Sequence, residues 1–201
     1  MNHIKNFLFI IILVLPITTF AEPNLASFII RNHEANQLPT VGDIDAKYTI
    51  VEFFDYRCGY CAKQAVDYGN ILKSRNDIKI VYLEFPIFGG ISDIAANIAL
   101  KVWNDNPELY FSIHNGFMTL GSSMNKENII QLLDKNSLQG NKLYNFAETQ
   151  PYDQIIQVNK QLAKDLGLRG TPASIINDTM IPGYVKEEKV IKLINEINAP
   201  S

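Results

Sequence analysis

Cys58 and Cys61 are the only cysteines in this chain, and Gly59 and Tyr60 separate them. Two sulfurs at that spacing can make and break a disulfide with each other, and their surroundings bias one of them toward reactivity. The run before them, Tyr48 to Asp55, is rich in β-branched and aromatic residues, whereas Ala62 to Leu72 suits a helix. Cys58 therefore falls at a strand-to-helix junction, where unpaired backbone N–H groups and the helix macrodipole favour an anionic sulfur. Such placement lowers a thiol pKa from about 8.5 into the range of roughly 3.5 to 7.5. A thiolate is the attacking species in disulfide exchange, and a sulfur of low pKa also leaves more readily.

Other uses of the pair fit less well. Zinc takes four ligands, and beyond the cysteines only His33 and His114 remain once the first residues are removed; no metal site is expected. A purely structural disulfide across so small a loop removes little chain entropy. Redox chemistry is the leading reading, with an inert disulfide as its competitor.

The N-terminus bears on the redox environment. Lys5 supplies a positive start, Phe7 to Leu15 is a continuous apolar run, and Thr19-Phe20-Ala21 offers small residues where a signal peptidase cuts. Residues 1–21 read as a cleavable secretory signal, because the apolar run is short of the ~20 residues of a membrane span and Pro16 interrupts it. An exported, periplasmic protein meets an oxidising compartment in which disulfides persist. No cysteine precedes residue 58 to carry a lipid anchor. The whole chain has 18 basic and 21 acidic residues. This mild acidity, without a cluster of Lys and Arg, argues against a nucleic-acid partner.

The elements that must hold the cysteines can be read in order. Residues 22–41 form a short helix from Asn24 and a connector ending near Pro39. A strand over Tyr48–Phe54, the cysteine-bearing helix and a strand over Ile78–Phe85 make a β-α-β unit, which implies a parallel pair and a right-handed crossover. Ile91 to Trp103 has helical spacing, with Ser92 as its expected N-cap. Asn106-Pro107-Glu108 restarts a helix. Further helices are expected near 125–133 and 141–148, and one more from Pro151 to a stop at Gly167. Ala173–Asn177 and Thr179–Pro182 read as a hairpin turning at Asn177-Asp178. Val190, Ile191, Ile194 and Ile197 line a closing helix. The expected architecture is α/β, with a core over 42–90 and 168–201 and an all-helical insertion over 91–167.

Four segments in this order, Val51-Glu-Phe-Phe-Asp-Tyr-Arg-Cys-Gly-Tyr-Cys61, Glu84-Phe-Pro-Ile-Phe-Gly89, Leu168-Arg-Gly-Thr-Pro-Ala173 and Ile181-Pro-Gly-Tyr184, resemble the DsbA-like thiol-disulfide oxidoreductases of the thioredoxin superfamily. The resemblance implies a thioredoxin-like fold with an inserted all-helical domain and no cofactor beyond the cysteine pair. It implies that Thr171-Pro172 is a cis-proline loop facing the cysteines, with Gly59, Tyr60, Thr171 and Pro172 meeting an extended substrate segment. Glu52 matches the acid that the family places beneath the site, where it moves a proton to and from Cys61. Gly-Tyr between the cysteines and Thr171 before the proline are similar to the DsbC-type isomerases, but residues 22–41 are too short to supply the dimerisation domain of that branch.

The resulting expectation is an exported enzyme that forms or reshuffles disulfides in other exported proteins through Cys58 and Cys61. A membrane redox partner recycles it, the oxidase direction is favoured over isomerase, and a monomer over a homodimer. The alternatives are a non-catalytic chaperone or surface binding module on the same scaffold, or a glutathione-linked enzyme.

Overall fold

The computed structural model describes residues 24–31, 33 and 38–197. The secretory signal expected over 1–21 lies outside the described residues, and so do parts of the 22–41 connector. Among the described residues, five strands form one mixed sheet and eight α-helices pack around it or on one another. Chain order is α1 (Leu25–Arg31), β1 (Thr40–Gly42), β2 (Tyr48–Phe54), α2 (Gly59–Ser74), β3 (Ile78–Glu84), α3 (Ile91–Asp105), α4 (Pro107–Leu120), α5 (Lys126–Lys135), α6 (Gly140–Ala147), α7 (Asp153–Asp165), β4 (Ala173–Ile176), β5 (Thr179–Pro182) and α8 (Glu187–Ile197). A 3-10 turn at Gly121–Ser123 follows α4.

Across the sheet the order is β1-β3-β2-β4-β5. The expected β-α-β unit is present, with β2 and β3 parallel from Tyr48 opposite Ile78 to Phe54 opposite Glu84. β4 and β5 make the antiparallel hairpin on the other side of β2. Asn177 turns it with a left-handed φ of 52°. The same turn holds α1: Leu25 N–H donates to Asp178 Oδ1 (2.8 Å) and Ala26 N–H to the Asn177 carbonyl (2.9 Å). Free N–H groups of a helix start are thereby satisfied by the hairpin.

The strand pattern fixes which residues face which layer. β2 is central and buried at every position except the half-buried Thr49. Val51 and Phe53, with Val81, Leu83 and Ile175, face α1 and α7. Ile50 and Phe54, with Ile78, Ile80, Tyr82 and Ile176, face α2, α8 and the helices of the insertion. Each fully buried aliphatic or aromatic side chain here contributes about 1.5–3 kcal/mol. Of the segment 91–167, α7 thus lies with α1 on one side of the sheet, while α3 to α6 share a continuous apolar core with α2 on the other.

Two expectations need correction. Thr40–Gly42, placed in a connector by sequence, is an additional strand antiparallel to β3, with Thr40 opposite Val81 and Gly42 opposite Lys79. Three residues are too few to show a period of two. Ser92 does not cap α3: the cap position is Gly90 at φ 55°, and Ser92 sits in the first turn with its hydroxyl turned to Asp55 (2.9 Å). The tertiary acceptor outcompetes the local cap.

Gly42 ends β1 at φ +106°, and a Cβ there would meet the Ile78 carbonyl oxygen at 2.6 Å and Lys79 Cα at 3.0 Å. Both neighbours are backbone and cannot step aside. Gly42→Ala is expected to destabilise the protein by about 1–3 kcal/mol, measured by urea unfolding; a stability equal to wild type would mean that β1 does not pack as described.

Candidate active site

The cysteines sit where the central strand delivers the chain into α2. Phe54 ends β2, Asp55 to Arg57 turn the chain, and Cys58 occupies the N-cap of α2. Asp55 builds this turn twice over. Its backbone carbonyl accepts from Cys58 N–H (3.1 Å), and its carboxylate accepts from Arg57 N–H (2.8 Å). The same carboxylate reaches the loop after β3, accepting from Phe88 N–H (3.0 Å) and the Ser92 hydroxyl (2.9 Å). A buried carboxylate with this many donors is satisfied, and it clamps the loop carrying the exposed Ile87 and Phe88 to the cysteine turn.

Both cysteines are free thiols with different surroundings. Cys58 retains 8 % exposure and Cys61 none. Cys58 Sγ accepts from Cys61 N–H at 3.4 Å, the cap interaction, and approaches the Thr171 carbonyl at 3.3 Å. The Cys58 pKa is lowered to about 6. The hydrogen bond from the Cys61 thiol comes first among the causes, opposed by desolvation, and Thr171 and the backbone N–H groups of Cys61 and Tyr60 add to it. The helix start expected to favour the thiolate acts through these backbone N–H groups, behind the neighbouring thiol. The Thr171 hydroxyl makes no hydrogen bond in the dithiol form, so its share is that of a donor able to turn toward the sulfur. Cys61 moves the opposite way, pushed up by burial above all, then by its hydrogen bond to Cys58 and by the charge of Glu52.

The Thr171–Pro172 peptide is cis. It opposes the cysteines because β4 starts at Ala173 beside β2, pairing Ala173 with Phe53 and Ser174 with Glu52. The Pro172 carbonyl accepts from Gly183 N–H (2.8 Å), which ties the loop to the end of β5. Thr171, Pro172, Cys58 and Cys61 are thus brought together, with Gly59 and Tyr60 exposed at the rim.

Glu52 is fully buried in β2, and neither carboxylate oxygen has a hydrogen-bond partner. Burial first, and the Cys58 charge second, hold its pKa well above the usual carboxylate range. An exposed edge carboxylate, the ordinary alternative for a lone acid in a strand, is ruled out by this position.

Several contributors were not singled out from the sequence. Gln64, buried on α2, clasps Val185 from both sides: its amide donates to the Val185 carbonyl (3.0 Å) and its oxygen accepts from Val185 N–H (2.8 Å). Next to it the Tyr184 hydroxyl donates to Asp67 (2.6 Å), and the Tyr184 ring stacks on Tyr60 with centroids 6.3 Å apart. Lys63 lies 5.0 Å over the Tyr60 ring. Tyr60 is therefore 60 % exposed yet held in place. Only the Asp-x-x-Cys spacing at residues 55–58 carried a local signal, that of an Asx turn before a helix.

His33 and His114, weighed above as zinc ligands, lie apart from the cysteines. His33 bridges the Ile29 carbonyl and Asn159 Oδ1. His114 is buried against Phe54, Tyr56 and Tyr82, and desolvation lowers its pKa to about 3. Among the described residues, no group of three or more His, Cys, Asp or Glu side chains is placed to hold a metal ion. No described helix is long and apolar enough to cross a membrane.

Known proteins resemble this chain in sequence and in fold. A family model described as thioredoxin matches residues 34–196. The chain is 21% identical over 168 residues to Disulfide bond formation protein D of Bacillus subtilis, covering 79% of this chain and 76% of that one. A periplasmic thioredoxin-like protein from Salmonella enterica serovar Typhimurium is similar in structure, at TM-score 0.71 and 28% identity over 81% of this chain and 91% of that one. The thiol-disulfide exchange protein alpha-DsbA2 from Wolbachia pipientis superposes at TM-score 0.72 with 27% identity, over 80% and 87% of the two chains.

Proposed function

From the premise that this chain belongs to the thioredoxin family and is a DsbA-like thiol-disulfide oxidoreductase, we propose that it works as an exported oxidase of cysteine pairs in other exported proteins. The observation that carries the direction is the asymmetry of the two sulfurs: Cys58 partly accessible with a pKa of about 6, Cys61 buried with its pKa raised. A stabilised Cys58 thiolate favours the reduced enzyme, and a dithiol enzyme that is easily kept reduced is a strong oxidant.

In the reaction, a substrate thiolate attacks Cys58 Sγ of the oxidised enzyme. The Cys58–Cys61 bond breaks, Cys61 leaves with the electron pair, and Glu52 supplies its proton. A second substrate thiolate then attacks the substrate sulfur of the mixed disulfide and releases Cys58 as a thiolate. The substrate pair has lost two electrons and the enzyme pair has gained them. No cofactor enters, because the cysteines are the carrier; a membrane redox partner that takes up the electrons returns the enzyme to its disulfide form.

Gly59, Tyr60, Thr171 and Pro172 hold the substrate segment in this scheme, the backbone beside the cis-proline pairing with an extended chain in a local form of strand addition. Export rests on the signal-like residues 1–21 and on the periplasmic location stated for the Salmonella protein. A monomer suits oxidation, which needs one site, better than reshuffling, which profits from a surface holding a misfolded chain between two.

The test runs two assays beside a light-scattering mass measurement: oxidation of a reduced model protein and rescue of a scrambled one. Ready oxidation with poor rescue by a monomer is expected. A monomer that rescues scrambled disulfides as efficiently as it oxidises thiols would overturn the assignment of direction.

A further inference from the structure

Glu52 does not lie alone on its face of the sheet. Its register partner in β3 is Tyr82 and its partner in β4 is Ser174. Residues opposite one another on adjacent strands project to the same side, with Cβ atoms about 4.5–5.5 Å apart. That side is the one covered by α2, since Ile50, Phe54, Ile80 and Ile176 of the same strands face it. Tyr82, Glu52 and Ser174 thus form a polar row across three neighbouring strands, and all three are fully buried; Glu84, the other buried acid on this face, stands opposite Phe54 and accepts from the Tyr56 hydroxyl.

The helix above completes the row. Tyr68 lies seven residues beyond Cys61 on α2, and its hydroxyl meets Ser174 Oγ at 2.6 Å. Two hydroxyls sharing one hydrogen bond have two hydrogens between them and use only one. Neither makes another hydrogen bond, so one O–H remains to be given. The Tyr82 hydroxyl is buried without any partner, and so are both oxygens of Glu52. Unspent donors and unspent acceptors therefore lie on the same buried face of the sheet, where an unmet polar group is costly.

We propose that Tyr68, Ser174 and Tyr82 are positioning residues for Glu52, whose hydroxyls turn to donate to its carboxylate once the Glu52 proton has passed to Cys61. This rests on the reading of Glu52 as the proton donor to Cys61. While Glu52 is protonated, the row is a neutral set of weakly engaged groups. When the carboxylate appears, it needs donors that desolvated surroundings do not otherwise supply, and a charged acceptor makes each such bond stronger than a neutral pair. Cys58, Cys61 and Tyr68 from α2, Tyr82 from β3 and Tyr110 from α4 are the titratable groups that act on or feel the Glu52 charge. Among these only the hydroxyls can donate to it without themselves taking part in exchange. The arrangement thus sets the pH range over which Glu52 gives up its proton.

The experiment measures the oxidation rate of a dithiol peptide from pH 4.5 to 8.5 for wild type, Glu52→Gln, Ser174→Ala, Ser174→Thr, Tyr68→Phe and Tyr82→Phe, with Cys58 alkylation followed over the same range. Glu52→Gln should remove one limb of the rate profile. Ser174→Ala and Tyr68→Phe should move that limb, the fall in rate as Glu52 ionises, to higher pH and slow the reaction about tenfold on the plateau below it, where Glu52 is protonated, while the Cys58 alkylation curve stays in place. Ser174→Thr, which keeps the hydroxyl, should restore the wild-type limb, which separates donation from packing. A limb that Glu52→Gln abolishes but that Ser174→Ala, Tyr68→Phe and Tyr82→Phe all leave in place would overturn the positioning role alone. A profile that Glu52→Gln itself leaves unchanged would remove the proton-donor reading, and this inference with it.

Discussion

Replacing Cys61 by serine is expected to convert the protein into a trap that accumulates mixed disulfides with its substrates, whereas Cys58→Ser should abolish exchange altogether. The reason lies in the geometry of escape. Cys58 Sγ is the sulfur with residual exposure, and Cys61 Sγ is buried behind it. An incoming thiolate can reach only the former. Once Cys58 is bonded to substrate, the Cys61 thiol is the nearest group able to reverse the attack, so its loss leaves resolution to a substrate thiol alone. Non-reducing electrophoresis of each variant after mixing with a disulfide-bonded substrate checks this: in Cys61→Ser the Cys58 thiolate attacks the substrate disulfide, one substrate sulfur leaves as a thiolate, and the adducts appear at high mass and collapse on reduction. Adducts formed by Cys58→Ser and absent from Cys61→Ser would reverse the assignment of the two sulfurs.

The second large effect is on stability as a function of pH. In the reduced protein Cys58 has a folded-state pKa of about 6, against roughly 8.5 in an unfolded chain. Between these values the unfolded chain binds more protons than the folded one, so the stability of the reduced form rises with pH across this window. The gain amounts to about 1 kcal/mol at pH 7 and on the order of 3 kcal/mol by pH 8.5, and it is lost as pH falls through 6. The oxidised protein has no such thiol. Buried groups common to both forms and remote from the cysteines, Glu84 and His114 among them, drop out of the difference between the two, whereas the raised Cys61 thiol and the part of the Glu52 shift that comes from the Cys58 charge oppose the gain, which is therefore an upper bound. Denaturant unfolding of both forms from pH 5 to 8.5 should therefore give a reduced-minus-oxidised difference that grows with pH. A flat difference would mean that Cys58 keeps an ordinary thiol.

What could be read from the sequence was local or strongly patterned. Tyr48–Phe54 is apolar along its length apart from Glu52, which marks a central strand, and the cysteines announce themselves by type and spacing. Glu52 was legible for the same reason, as an acid where an apolar residue belongs. The contributions that escaped all depend on the chain returning from far away. Asp55 reaches Phe88 and Ser92 across 33 and 37 residues, and Gln64 reaches Val185 across 121. Tyr68 and Ser174, 106 residues apart, look in the sequence like ordinary members of a helix and a strand. Ser92 shows the converse error, in which a good local cap is drawn off by a better distant acceptor. β1 escaped because three residues beside a proline carry no periodicity to read.

The two borders of the sheet have a consequence for the proposed action on exported proteins that are still folding. One border is β1, three residues long and closed by Gly42; the other is β5, four residues long and ending in Pro182. Neither offers the long, flat row of unpaired N–H and C=O groups that recruits foreign strands, and proline removes a donor where a ladder would continue. A client polypeptide rich in exposed β-prone segments therefore finds little to zip onto along the flanks. Under the function proposed above, its backbone is left to engage at the cysteine cleft, where release is governed by sulfur chemistry rather than by strand pairing.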